Sequence, residues 1–239
     1  GTKSYYGAIG VDMEQNPLTH LLEIAESKGK ATGVITSVEW THATPAGFVA
    51  HNVSRNNYAE IGQEMVYVSA ADVVMGAGHP FFDADGQPAD SPNTFKYVGG
   101  ETTWDDLVAG TAGGDADGDG VDDPWVLIQT RDEFQALMSG PTPKRVLGTA
   151  QVYQTLQSDR SGDENADPFV VPLTETVPTL EEMSKAALNI LDDDPDGLFL
   201  MIEGGAVDWA SHSNRSGRMI EEHMDFDKSV EAVVDWVKK

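Results

Sequence analysis

The chain has 239 residues with 15 Lys plus Arg against 40 Asp plus Glu, a formal net charge of −25. Such an imbalance argues against unaided nucleic-acid binding, where cations must neutralise phosphates, and against docking on an anionic membrane surface. A 40% hydrophobic, 8% aromatic composition can fill a substantial core, while the absence of cysteine excludes disulfides and thiolate metal sites.

The chain opens on Gly1-Thr2-Lys3, with no initiator Met and no signal-like apolar stretch, and reads as a mature or trimmed terminus. No apolar run reaches the roughly 20 residues of a membrane span. Asn16-Pro17 followed by Leu18, Leu21, Leu22 and Ala25 predicts a capped amphipathic helix that stops at Gly29. The β-rich run Ala31 to Thr36 then reads as a buried parallel strand. Ala71 to Gly76 repeats that character, as does Lys144 to Gly148 after a helical segment near Asp132 to Ser139. Between about Phe81 and Asp123 the pattern dissolves into Gly, Pro, Asp and Thr, which predicts a long functional loop or an insertion over about 81–130. Thr179 and Glu182 form a capping box for a helix with an apolar face of Leu180, Met183, Ala187, Ile190 and Leu191. That helix leads into the strand-like Gly197 to Ile202, and a last helix covers roughly Arg218 to Lys239. Helices alternating with apolar strands predict a doubly wound α/β domain, its mainly parallel sheet covered on both faces.

In open parallel sheets, ligands bind beyond the carboxyl ends of the strands, and two such ends carry polar clusters. After the strand ending at Ile202 come Glu203, the turn glycines Gly204 and Gly205, then Asp208, Trp209 and His212. Asp208 and His212 are spaced i, i+4, so a turn of helix places a carboxylate and an imidazole on one face, a pair suited to Zn²⁺. A helix-capping Asp beside a surface His is the bland alternative. After the first strand come His42 and Thr44 in Glu39-Trp40-Thr41-His42-Ala43-Thr44-Pro45, with His51 and Arg55 further on. An Arg near a metal site is a natural bidentate partner for phosphate, and an Arg paired with a surface acid is the default otherwise.

These segments resemble the alkaline phosphatase family over most of the chain. Lys3 to Asp12 is similar to the segment shortly after the family's nucleophilic serine. Thr32 to Ala46, with His51 and Arg55, resembles its magnesium- and phosphate-binding stretch, and Met201 to His212 resembles its second metal-binding stretch. The resemblance implies phosphomonoester hydrolysis through a phosphoserine, with two Zn²⁺ and one Mg²⁺ in the complete enzyme. It implies Thr44 and Glu203 as Mg²⁺ ligands, Asp208 and His212 as Zn²⁺ ligands, and Arg55 as the phosphate clamp. His42 stands where some members carry Asp and is expected to reach Mg²⁺ through water. Trp209 stands where others carry Lys or His and is expected in the pocket wall. This combination looks like the bacterial marine type.

The sequence departs from the family pattern in what it leaves out. The family's nucleophilic Asp-Ser-Ala stretch is expected just before Gly1, and its late Asp-His pair and last zinc-binding His beyond Lys239. The chain therefore reads as the interior part of one alkaline phosphatase-like domain, expected to be inactive alone. The family further implies a periplasmic or extracellular setting, small phosphomonoester substrates and a homodimer.

A separate signal is Asp115-Ala116-Asp117-Gly118-Asp119-Gly120-Val121-Asp122-Asp123, which matches the opening of an EF-hand-type loop. Asp115, Asp117, Asp119 and Asp123 stand at positions 1, 3, 5 and 9, with Gly120 at the turn, as Ca²⁺ coordination requires. Val126 stands where the bidentate Glu belongs, and a solvated acidic loop is the alternative. Two further readings stay open: a related metallo-phosphodiesterase or sulfatase-like hydrolase, and a non-catalytic extracellular calcium-binding module. The acidic surface also suits a salty habitat.

Overall fold

A computed structural model describes residues 1–116 and 120–238. In chain order the elements are α1 (Leu21–Glu26), β1 (Ala31–Glu39), α2 (Ala43–Val49), α3 (Tyr58–Tyr67), β2 (Val73–Ala77) and α4 (Glu101–Ala109). They continue with β3 (Gly113–Gly114), β4 (Asp123–Pro124), β5 (Val126–Ile128), α5 (Arg131–Ala136), β6 (Val146–Thr149), α6 (Leu180–Leu191), β7 (Leu198–Glu203), α7 (Gly205–His212) and α8 (Ser216–Val237).

Five strands form one sheet in the order β5-β6-β2-β1-β7, and every pairing in it is parallel. Because side chains alternate along a strand, Val34, Val74 and Leu147 point to one face and Ile35, Val73, Met75 and Val146 to the other. The first set packs with Ile61 and Met65 of α3 and Trp104 of α4; the second packs with Phe134 of α5 and Met183 and Ala187 of α6. Both faces are therefore covered, which is why β1 and β2 read as unbroken apolar runs. The strands sit so close that a Cβ on Gly76 would lie 2.7 Å from the Val38 carbonyl oxygen, beside the register shift between β1 and β2.

The expected strands and the capping box of α6 are present: Glu182 N–H donates to Thr179 Oγ1 at 3.1 Å and Thr179 N–H to Glu182 Oε2 at 2.9 Å. Two expectations need correction. The first helix begins at Leu21, because Asn16 is held in a loop by Asp12 and Leu18 N–H donates to the Gly10 carbonyl. The stretch 81–123 is not all loop: it contains α4, whose Trp104 and Leu107 are buried in the core. In α8 the buried side is Gly217, Arg218, Glu221, Glu222, Ser229 and Ala232, while Ile220, Met224, Val230, Val234 and Val237 are exposed. The buried side is polar because Glu221 pairs with Arg160 at 2.8 Å and accepts the Phe169 N–H at 2.6 Å, tying the helix to the 157–172 segment.

Candidate active site

The carboxyl ends of β1 and β7 lie side by side, since Thr36 of β1 registers with Glu203 of β7. Thr36 Oγ1 donates to Glu203 Oε2 at 2.7 Å, orienting the half-buried carboxylate. Each strand then turns tightly into a short helix. After β1, buried Glu39, Trp40 and Thr41 lead to His42, whose extended backbone caps α2, with Thr44 exposed in the first turn. Pro45 is tolerated there because the first helical N–H groups have no intrahelical acceptor. Trp40, fully buried, donates from Nε1 to Thr149 Oγ1 at 3.1 Å and anchors this turn to β6. After β7, Gly204 and Gly205 allow close packing: a Cβ on Gly205 would lie 2.9 Å from Val38 Cγ2. Ala206 N–H donates to Ser37 Oγ at 3.1 Å, which fixes the start of α7 to β1.

Four expected residues come together across these turns. Arg55, on the loop after α2, donates from Nη2 to His42 Nε2 at 3.1 Å. The Arg55 loop is itself tied down by Arg55 N–H to the Gly7 carbonyl at 2.6 Å and by reciprocal bonds between Ile9 and Asn52. The His42 ring meets the Trp209 ring edge-on at 5.3 Å, and Asp208 on the same helix acts electrostatically on His42. Because a guanidinium only donates, Nε2 must accept, and the proton of neutral His42 sits on Nδ1. That Nδ1 is buried with no hydrogen-bond partner among the described residues. Burial, with Arg55 next in size, pushes the His42 pKa down to about 4, so the ring is neutral at physiological pH.

Asp208 and His212 do share one face of α7, with Oδ1 and Nε2 3.4 Å apart, and both side chains are largely exposed. Thr44 and Glu203 stand on the two neighbouring turns, one on α2 and one ending β7. For the acidic loop, Asp117 and Asp119 lie outside the described residues. Asp115 Oδ2 accepts from Gly120 N–H at 2.9 Å, while Asp123 pairs with Lys144 at 3.0 Å and accepts from Ala116 N–H at 3.2 Å.

Sequence reasoning assigned no role to a polar group behind His42. Buried Glu39 accepts from Gln154 Nε2 at 2.7 Å, and the same nitrogen reaches Tyr97 Oη at 2.7 Å. Burial drives the Glu39 pKa up to about 7. Tyr97 meets Tyr58 edge-on at 5.0 Å, and the Lys96 ammonium lies 4.5 Å from the Tyr97 ring centre. These partners come from separate segments, so no local spacing could reveal them.

The alkaline phosphatase family model matches residues 1–239. Alkaline phosphatase 3 of Bacillus subtilis is 31% identical over 246 residues, covering 100% of this chain and 44% of that protein. The Escherichia coli alkaline phosphatase is 27% identical, covering 100% of this chain and 52% of that protein. The structure of a cold-active alkaline phosphatase from a psychrophilic Shewanella superposes with a TM-score of 0.69 at 26% identity, over 99% of this chain and 48% of that one. The Thermus thermophilus enzyme superposes equally well, with a TM-score of 0.69 at 24% identity over 99% of this chain and 42% of that one. The chain thus spans about half the length of the relatives it matches.

Proposed function

The chain belongs to the alkaline phosphatase family, and from that premise we propose that its strand-end residues serve phosphomonoester hydrolysis. The observation that carries this reading is the Arg55–His42 contact beside Trp209 at the carboxyl edge of the sheet. Arg55 clamps two phosphate oxygens through its planar fork. Neutral His42 offers its buried Nδ1–H to an acceptor entering the site, either a water or a phosphate oxygen, and Trp209 forms the pocket wall.

The donor chemistry fits the family's metals. Thr44 and Glu203 offer the oxygens that Mg²⁺ prefers, with Glu203 held by Thr36. Asp208 and His212 offer a carboxylate and an imidazole 3.4 Å apart, close to the spacing of about 3.4 Å between neighbours on a tetrahedral Zn²⁺. When bound, such ions supply charge neutralisation and lower the pKa of a bound nucleophile or leaving group. His42 stays in the reading as a residue that reaches Mg²⁺ through water. The acidic loop, with Asp115, Asp117, Asp119 and Asp123, is proposed to take Ca²⁺ and order the β3–β4 hairpin. The same reading makes the complete enzyme a periplasmic or extracellular homodimer.

The 239 residues contain neither an Asp-Ser-Ala stretch nor an Asp-His dipeptide. We therefore expect no turnover of an aryl phosphate by this chain with Zn²⁺ and Mg²⁺, while inorganic phosphate still binds in calorimetry. Arg55→Ala should weaken that binding about 10- to 100-fold, the range for a charge-assisted hydrogen bond. Robust turnover overturns the inactivity, and phosphate binding untouched by Arg55→Ala overturns the clamp.

A further inference from the structure

The helix α8 turns a charged stripe inward, because Arg218, Glu221, Glu222 and Asp225 stand at i, i+3, i+4 and i+7 on one face. Arg218, Glu221 and Glu222 are buried and Asp225 is half-buried. Against this stripe lies the 157–172 segment, which forms a strap over the start of the helix. Arg160 of the strap donates to Glu221 Oε2 at 2.8 Å, and Arg218 Nη2 donates to the Arg160 and Ser161 carbonyls at 3.3 Å. Gly217 lets the strap come this close, since a Cβ there would overlap the Ala166 carbonyl oxygen. Phe169 is held at φ 63°, costly for an aromatic residue, with its N–H on Glu221 Oε1 at 2.6 Å. The strap also reaches the end of α7: Arg215, whose N–H donates to the Ala210 carbonyl, pairs with Asp159 at 3.1 Å and Glu164 at 2.9 Å.

One carboxyl of this layer is left over. Glu221 has Arg160 and the Phe169 N–H, Asp225 accepts the Leu180 N–H at 3.0 Å, and Asp159 has Arg215. Glu222 shares in none of these pairs, and its Oε1 is buried with no hydrogen-bond partner among the described residues. The charges acting on it are Asp225 and Glu221 of its own helix and Arg160 and Asp159 of the strap. Arg218 lies one turn back in the same stripe. Of the other helices packed on α8, α6 brings Glu181 and Glu182 to Asp225, which Lys228 of α8 opposes. α7 buries only Gly205, Ala206 and Ala210, and its Asp208 and His212 are largely exposed. A buried carboxyl with negative neighbours and no donor of its own costs far less as a neutral acid than as an anion. Burial, with Asp225 next in size, accordingly raises the Glu222 pKa from 4.5 to about 8.

We propose that Glu222 is the latch of a pH-dependent clamp: uncharged, it lets α8 hold the strap, and ionised, it drives the strap off α8 and frees the Arg215 end of α7. The device goes beyond the phosphatase reading and uses none of the residues assigned there. Once the strap is released, Glu222 meets water and returns to its ordinary pKa. The clamp is therefore complete below about pH 4.5, weakens about tenfold per pH unit above it, and levels off beyond about pH 8.

Amide hydrogen exchange followed by NMR tests the clamp, with Phe169 reporting the strap and Val74 of the central strand reporting global unfolding. Between about pH 6 and 7.5 the Phe169 protection factor should fall about tenfold per pH unit while staying well below that of Val74. Glu222→Gln, neutral at every pH, should hold the Phe169 protection constant over that range, and so should Glu222→Met, which asks for no buried amide partner. In the parent chain the Glu222 carboxyl carbon should titrate near pH 8 by ¹³C NMR, a measurement that needs no variant to fold. A Phe169 slope that survives both substitutions, a Phe169 amide as protected as Val74, or a Glu222 carboxyl that titrates near pH 4.5 overturns the proposal.

Discussion

The two strand-to-helix turns at the carboxyl edge are neighbours built in opposite ways. The turn after β1 is sealed: Glu39, Trp40 and Thr41 are fully buried, and His42 is pinned by Arg55. The turn after β7 is open: Asp208 and His212 are mostly exposed and pair with each other at 3.4 Å. Burial on the first side fixes ring orientation and protonation in advance, which is what a phosphate-positioning group needs. Exposure on the second side leaves Asp208 and His212 adjustable, which suits the metal role proposed for them, since an incoming ion can impose its own geometry. Preorganisation is thus concentrated where a directional donor must be aimed.

The largest effect that could break this contrast is on stability. Trp40→Ala should cost about 3–5 kcal/mol in urea unfolding, through the cavity left and the lost bond to Thr149. A cost below about 1 kcal/mol would mean that the β1 turn is not sealed by packing.

A second, smaller effect is hidden in the pH profile. His42 has a folded pKa of about 4, below its unfolded value, so its contribution is present above about 6.5 and lost as pH falls through 4. Glu39 has a folded pKa of about 7, above its unfolded value, so its contribution is present below about 4.5 and lost as pH rises through 7. Between about pH 4.5 and 6.5 the two slopes oppose each other, each with an amplitude on the order of 2–3 kcal/mol. The parent protein should therefore look nearly flat there with respect to this pair. His42→Gln should expose a stability that falls with rising pH, and Glu39→Gln one that rises. Urea titrations across that window check both signs, and identical profiles in the two variants would remove the assignment.

The sheet was legible because parallel strands buried on both faces leave continuous apolar runs, as in Val73-Val74-Met75. Both strand-end clusters were legible too, since glycines, carboxylates and histidines directly after such runs mark a carboxyl edge. The short helix α2 was not, because its seven residues include Pro45 and Gly47 and offer no period to read. The helix α3 hides behind Gly62, which is needed because a Cβ there would lie 2.6 Å from the Gly99 backbone nitrogen. Tertiary partners escaped for a different reason. Thr36 meets Glu203 across 167 positions and Gln154 meets Glu39 across 115, so their meaning exists only once the register is known. The outward apolar stripe of α8 was likewise unreadable, since periodicity gives a face but not its direction.

The smallest expected effect is also the sharpest statement about the open turn. His212→Ala in metal-free buffer should change unfolding stability by no more than about 0.5 kcal/mol, because an exposed i, i+4 pair is screened by water. Urea unfolding of that variant beside Trp40→Ala sets the two turns on one scale. A loss above about 1 kcal/mol would show that α7 depends on the pair for its own folding, and the division between a rigid β1 turn and an adjustable β7 turn would then have to be given up.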